Sequence, residues 1–441
     1  MSNCAIGSHK LNRVKIHLLE VVFFYYVLFL GGATPLINNL DIRSNPLGAV
    51  IYFAALGVLI SRAPKPLVSR KLVYVLIVLS VWFAIHFFLD GSFKYLQYGI
   101  LGLNIITGYF IIRVYRASIV KRIVKTVYVL SIIALGMWLV ELWVGIDVMQ
   151  SLAPFANTWG EGGGSFLVFN VQPHDYKGTF VSSIIRNSGF AWEPGRFASI
   201  IVIAFTCNII WRRGQFKLLS KYNIVFLLAL ITTFSTTGYV AMLTVFAINL
   251  ISSPRISVIK KTVLGLTFVL IAVFTARLSF VSEKILDKAD SESFFTQNEQ
   301  IISRIDSDDE QFTVDRFEGL GLDLLNFKEA LVFGYGLDPH NSYVGRDISE
   351  KLVTSNGIVK PFAMYGFPLA ITFFLFFFLG TKRLSQAYSY KMYALLFIAI
   401  MIVSISYNWI DSPLMLAITL YGVLSCRCST KLLKIKVWYN G

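Results

Sequence analysis

The sequence predicts an all-α fold, a polytopic integral membrane protein of about 12 transmembrane helices with two large outer loops. Three observations predict it. The 441 residues are 56% hydrophobic and only 15% charged, where soluble chains carry roughly 25% charged residues. The apolar residues come in repeated runs of membrane-spanning length, roughly 17–25 residues. The runs are continuous rather than alternating, which selects helices over barrel strands. The whole chain, 1–441, reads as one transmembrane domain.

Spans are expected near 17–38, 46–61, 72–90, 95–113, 126–146, 197–211, 222–235, 238–252, 262–279, 361–380, 390–408 and 412–426. The first run is long enough to span and is followed by others, so it reads as a span and not as a cleaved signal. The seventh and eighth are short and join tightly around Ser235-Thr-Thr-Gly238, as a shallow hairpin would.

Lysine and arginine orient the set. With the N-terminus inside, each inner segment is basic: Lys10, Arg13 and Lys15; Arg62, Lys65, Arg70 and Lys71; Arg113, Arg116, Lys121, Arg122 and Lys125; Arg212, Arg213, Lys217 and Lys221; Arg255, Lys260 and Lys261; Lys382, Arg383 and Lys391; Arg427, Lys431, Lys434 and Lys436. The short outer connections hold only Arg43 and Lys94. An error of one span would break this alternation. The net charge of +15 therefore faces anionic headgroups, and nucleic-acid binding is not expected. Both termini are placed inside. Cys4, Cys207, Cys426 and Cys428 avoid the outer loops, so no disulfide framework is expected, and Cys426-Arg-Cys428 lacks the spacing of a zinc pair.

The two outer loops cover 147–196 and 280–360. Loops beyond roughly 12–15 residues are usually functional or disordered. The first holds the flexible Gly160-Glu-Gly-Gly-Gly164. The second opens on an acidic stretch through Glu283, Asp287, Asp290, Glu292, Glu299 and Asp306-Ser-Asp-Asp-Glu310, which reads as a solvated helical face. Further on, an amphipathic helix is expected from Phe317 to Val332, with Phe317, Leu320, Leu324, Phe327 and Leu331 as its apolar stripe.

Candidate chemistry collects where the loops re-enter the membrane. Ile185-Arg-Asn-Ser-Gly-Phe-Ala-Trp-Glu-Pro-Gly-Arg-Phe197 combines two arginines, a carboxylate and a Pro-Gly turn into the sixth span. The planar guanidiniums of Arg186 and Arg196 suit phosphate oxygens and cannot lose their charge; the same residues also read as interfacial anchors beside Trp192. Phe333-Gly-Tyr-Gly-Leu-Asp-Pro-His-Asn-Ser-Tyr343 closes the second loop. Its glycines permit a tight turn, and the His340 imidazole has the pKa range to take a proton from a sugar hydroxyl; a plain polar loop histidine is the alternative. His174 in His-Asp-Tyr-Lys reads as a turn residue. Glu20, His86 and Glu141 lie in or at the ends of spans, where interfacial placement explains them as well as function does. The Asp306/Asp308 pair is one more piece of an acidic run. Neither a Walker loop nor a zinc signature is present.

Taken in order, Arg186-x-x-Gly189-x-x-x-Glu193-Pro194-Gly195, then Phe234-Ser-Thr-Thr-Gly238, then Arg316 followed by Gly334-x-Gly336 and His340-Asn341-x-Tyr343, the chain resembles the bacterial O-antigen polymerase (Wzy-type) and O-antigen ligase superfamily. The resemblance extends to the span plan and covers nearly the whole chain. It implies a multi-pass protein of the bacterial inner membrane with cytoplasmic termini and periplasmic loops. It implies a substrate, an oligosaccharide on undecaprenyl diphosphate, and a reaction, metal-independent glycosyl transfer that polymerises repeat units into surface polysaccharide. Neither cofactor nor metal is expected; a chain-length regulator is a possible partner. In this reading Arg186, Arg196 and Arg316 hold the departing diphosphate, His340 and Glu193 are the acid/base candidates, and Asn341, Gly189 and Tyr343 support them. Ligases often show a glycine at a set distance past the His-Asn pair; Gly357 lies beyond that pair here, and the tight Arg-x-x-Gly…Glu-Pro-Gly element leans to polymerase. A ligase is the alternative within the superfamily. A lipid or solute transporter, which would show repeats or interrupted helices, and a structural partner in an envelope assembly are the alternatives outside it.

Overall fold

The computed structural model describes residues 46–89, 94–156, 164–166, 168–171, 185–215, 219–252, 316–347, 352–354 and 356–424, with Tyr26, Ser257, Ile259, Thr262, Phe312 and Thr313 isolated between them. Within these the protein is mostly helical. The helices are α1 (Pro46–Arg62), α2 (Arg70–Leu89), α3 (Tyr95–Tyr115), α4 (Ile119–Val144), α5 (Ile146–Leu152), α6 (Pro194–Trp211), α7 (Lys221–Thr232), α8 (Thr236–Ile251), α9 (Arg316–Glu329), α10 (Tyr343–Asp347), α11 (Lys360–Ala387), α12 (Leu395–Ser404) and α13 (Pro413–Leu424). Three two-residue strands, β1 (Phe155–Ala156), β2 (Gly164–Ser165) and β3 (Asn170–Val171), form an antiparallel sheet in the first loop. In the second loop β4 (Phe312–Thr313) pairs in parallel with β5 (Leu352–Val353).

Among the described residues, four helical stretches are long and apolar enough to cross a membrane: Arg70–Leu89, Tyr95–Val144 (which contains α3 and α4), Pro194–Trp211 and Lys360–Ala387. Shorter apolar helices accompany them at Gly48–Arg62, Lys221–Thr232, Thr236–Ile251, Leu395–Ser404 and Pro413–Leu424. Together they mark a membrane-embedded protein. Each expected span between 46–61 and 238–252, and each of the last three, coincides with one of these helices. The spans expected at 17–38 and 262–279, and the acidic stretch through Glu310, lie outside the described residues.

The helices form one packed bundle. α6 is its axis, enclosed by α4, α7, α8 and α12. α13 fills the second layer between α3 and α11. Their closest approach is a glycine crossing: a Cβ on Gly380 would stand 1.9 Å from the Ile418 carbonyl oxygen, and one on Gly422 2.1 Å from that of Phe376. Without a strong hydrophobic drive between helices in lipid, such close backbone approach is how van der Waals packing is gained. α2 keeps most of its surface exposed.

The connections segregate into two ends, as the basic alternation requires. At the end with the basic segments, Arg113 donates to the Pro64 and Pro66 carbonyls (2.5 and 2.6 Å), Lys71 to Val423 (2.7 Å), and the Tyr388 hydroxyl to Ala117 (3.0 Å). At the opposite end, Trp138 donates to Ile185 (2.9 Å), Thr237 bonds Ser406 (3.2 Å), and Lys94 pairs with Asp338 (2.8 Å). α3 and α4 therefore run in opposite directions, reversing at Arg116, whose φ is 47°.

Two expectations are corrected here. The helix expected over Phe317–Val332 ends at Glu329, and its stripe is rotated. Leu324 and Leu331 are exposed, while the inward face carries Gly319, Leu322, Asp323 and Asn326. The reason is polar: Asp323 accepts from the Thr354 hydroxyl (2.8 Å) and Asn326 from the Val344 amide (2.9 Å), so the face that makes these bonds turns inward. His86 and Glu141 are both buried against the bundle. Each is 1% exposed inside the bundle.

Candidate functional site

The site is built at the end opposite the basic segments. Pro194 opens α6 at its first turn, with Glu193 as the extended residue before it (φ −146°, ψ 157°). Proline fits there because its missing N–H would have no partner anyway. This sets Glu193 and, about one turn on, Arg196 at the mouth of the central helix. The preceding loop folds back through Gly189. Its φ of 53° and the Phe197 ring, which lies 2.7 Å from where a Cβ would stand, both exclude a larger residue. The Asn187 side chain bonds the Gly189 amide (2.9 Å) and the Thr232 hydroxyl (2.9 Å), which pins the loop to α7.

Arg186 is held by the short turn between α7 and α8. Its Nε and one terminal nitrogen donate to the carbonyls of Thr233 (3.1 Å) and Phe234 (3.2 Å). The first two family-like motifs thus touch directly. Ser235 caps α8 by accepting from the Gly238 amide (3.3 Å), and Gly238 lets α8 lie against Ala198 of α6.

The third wall was not anticipated. It is the connection between α12 and α13, residues 405–412. The Tyr407 hydroxyl donates to Glu193 Oε1. The Arg196 guanidinium lies over the rings of Tyr407 (5.5 Å) and Trp409 (4.8 Å). Asn356 and Gly357 donate to the Ile405 and Ser404 carbonyls (3.2 and 2.7 Å), tying this connection to the end of the second loop. Gly357 also sits too close to the Tyr407 carbonyl for any Cβ, 2.4 Å. Asp411 accepts from the Tyr365 hydroxyl, and its backbone carbonyl accepts from Asn104 (3.0 Å). Burial raises the Asp411 carboxyl above the usual range, against the Tyr365 bond and the Lys360 charge. Buried Asp323 is likewise raised by burial to about 6, with Lys360 and the Thr354 bond opposing. One lysine thus faces two buried carboxyls. Burial, and then Asp323 and Asp411, push the Tyr335 hydroxyl up.

His340 forms the second group of expected site residues. Asp338, fully buried, caps the short 3-10 turn Pro339–Asn341 by accepting from the His340 amide (3.1 Å). Asn341 donates its amide to the Asp338 carbonyl (3.1 Å), and the His340 side chain faces outward, exposed. Gly334 and Gly336 earn their place through the backbone. Residues 331–336 run beside a break in α11 at Gly366 (φ 74°, ψ 165°), with Tyr335 and Gly336 amides donating to Ala363 and Met364 and the Phe367 amide to Leu331. A Cβ on Gly334 would stand 2.2 Å from the Met364 oxygen, and one on Gly366 2.1 Å from that of Val332. The interruption in α11 leaves no unpaired ladder there because this loop satisfies it.

Glu193 and Arg196 are therefore brought together at the mouth of α6, Arg186 is held at the α7–α8 turn of the same end, and His340 and Asn341 stand at that end on a separate turn. Tyr343 packs against the small core of Leu322, Val344 and Leu352, which makes it a support for α10. The Arg316 backbone opens α9, but its side chain lies outside the described residues, as do His174, Glu20, Asp306 and Asp308. Sequence reasoning missed Tyr407, Trp409 and Asp411, because the spans assigned to 390–408 and 412–426 took in Tyr407 and left Trp409 and Asp411 as a short turn, although Tyr-Asn-Trp-x-Asp interrupting an apolar run was a signal.

No protein-family model matches the chain, and no curated protein matches it significantly.

Proposed function

We propose that the protein is a glycosyltransferase of the bacterial inner membrane, a Wzy-type O-antigen polymerase. It joins oligosaccharide repeat units carried on undecaprenyl diphosphate at the periplasmic face, with both termini cytoplasmic. The observation that carries the reading is the placement of Arg186, Glu193 and Arg196 at the non-basic end of the bundle, with the His340 turn at that same end.

The chemistry follows from charge. In the transfer the anomeric C–O bond to the diphosphate breaks, and a hydroxyl of the acceptor sugar attacks the anomeric carbon. The departing diphosphate gains negative charge. Guanidiniums fixed by carbonyls and aromatic rings are already oriented for that charge, so they stabilise it without reorganising. Arg186 and Arg196 take this role, and Arg316 joins them. His340 takes the proton of the attacking hydroxyl, with Asn341 beside it. Glu193 is a second acid/base candidate or the carboxylate that orients Arg196. No step calls on a nucleotide sugar, ATP or a metal.

In cells that make the polymer, Arg186→Ala and His340→Ala should each shorten the polymer and cut its yield at least tenfold, with the protein still present in the membrane. Unchanged length and yield would end the assignment of that residue. A product found on lipid A core in place of longer lipid-linked chains would make the protein a ligase. The break in α11 at Gly366, beside Tyr365 and Asp411, favours a transporter as the second reading. Passage of lipid-linked oligosaccharide across proteoliposomes without any elongation would establish it.

A further inference from the structure

A second set of contacts, from residues outside all three family-like motifs, converges on the segment that leads into the turn that carries His340. It comes from the hairpin of α2 and α3. Trp82 Nε1 donates to the Phe333 carbonyl (3.0 Å), and His86 Nε2 reaches the same oxygen (3.1 Å). A carbonyl can only accept, so His86 carries its proton on Nε2. The Trp82 and His86 rings meet edge to face with centroids 4.5 Å apart, and Trp82 also touches the rings of Tyr98 and Tyr365. Tyr98 accepts from the Leu337 amide (3.1 Å). Lys94, from the short connection between the two helices, pairs with Asp338 (2.8 Å).

Four side chains of one hairpin thus grip Phe333, Leu337 and Asp338, immediately before His340. The pairing with Asp338 matters most. A carboxylate with no exposed surface is costly to bury unless it is paired and hydrogen-bonded. Asp338 meets that cost with the Lys94 ammonium and the His340 amide. The conformation of the His340 turn and the position of Lys94 are therefore set by one another.

We propose that the α2–α3 hairpin is the positioning platform of the acceptor-activating turn, with Lys94 and Asp338 as positioning residues for His340. The inference rests on the functional reading above and deepens it. Removing the Lys94 charge takes its ion pair from buried Asp338, and the turn shifts; the imidazole then meets the acceptor hydroxyl less often while the donor site keeps its affinity. Turnover falls and the apparent KM for the lipid-linked donor holds.

The test has two parts, both on the full-length protein in lipid nanodiscs. The first is a double-mutant cycle on thermal stability with Lys94→Met, Asp338→Asn and both together. The pairing requires that the double variant melt well above the temperature that the two separate losses sum to; additive losses would overturn the pairing and the proposal. The second is steady-state transfer with an undecaprenyl-diphosphate-linked oligosaccharide. Lys94→Met should lower kcat at least tenfold with KM within threefold, and Lys94→Arg should return kcat to within threefold of the parent. An active parent whose Lys94→Met variant keeps its kcat overturns the platform alone. A parent that couples Lys94 to Asp338 in the melts but transfers no sugar overturns the functional reading and this inference with it.

Discussion

Arg186 holds a structural contact that can be tested beside the chemistry proposed for it. Its two bonds to the α7–α8 turn are charge-assisted, each worth about 1.5–3 kcal/mol, and a lysine can supply only one such bond in that geometry. Arg186→Lys should lose about 2 kcal/mol of stability, read as a fall in melting temperature, and should retain part of the transfer activity; Arg186→Ala should lose both. Gly189 is the cleaner structural control. Alanine there meets a left-handed backbone and the Phe197 ring together, costing about 2–4 kcal/mol, and a shortened side chain at 197 should recover part of it. Asp323 gives a pH signature. Its carboxyl sits near 6 in the fold against an ordinary 3.8, so the folded state favours the protonated form. Its contribution to stability is full below pH 4, is lost as pH rises towards 6, and then stays flat, a change of about 3 kcal/mol. Asp323→Asn should remove that slope from melting temperatures measured between pH 4 and 7.

At the scale of elements, much was legible because lipid is a demanding solvent. A spanning segment must satisfy its own backbone, so continuous apolar runs announced helices, and Pro194 announced where α6 begins. The turn between α7 and α8 was readable from Ser235-Thr-Thr-Gly238 for the same local reason, the capping of a helix by its own side chain. What was not legible depends on partners far along the chain. The rotation of α9 is fixed by Thr354 and Val344, which periodicity within α9 cannot report. The break in α11 is fixed by the loop at 331–336. That crossing is a testable element: Gly366→Ala and Gly334→Ala each force a Cβ onto a carbonyl oxygen, which should cost about 2–4 kcal/mol and lower the yield of folded protein in the membrane.

At the scale of the molecule, the sorting of basic residues to one end and of the candidate site to the other is what joins fold to function. The sequence alone separated the two ends, since the charges are local and abundant. It did not show that the connection at 405–412 closes the site, because Tyr407 and Trp409 act on Glu193 and Arg196 more than two hundred residues away. The central claim is that a lipid diphosphate leaves from fixed guanidiniums while an imidazole activates the incoming sugar. The most direct measurement is the length distribution of products when the purified protein, in a bilayer without added metal or nucleotide, is given an undecaprenyl-diphosphate-linked repeat unit. The account predicts a ladder of lengthening lipid-linked chains that disappears in Arg186→Ala and in His340→Ala; unextended repeat units from the parent protein would contradict it.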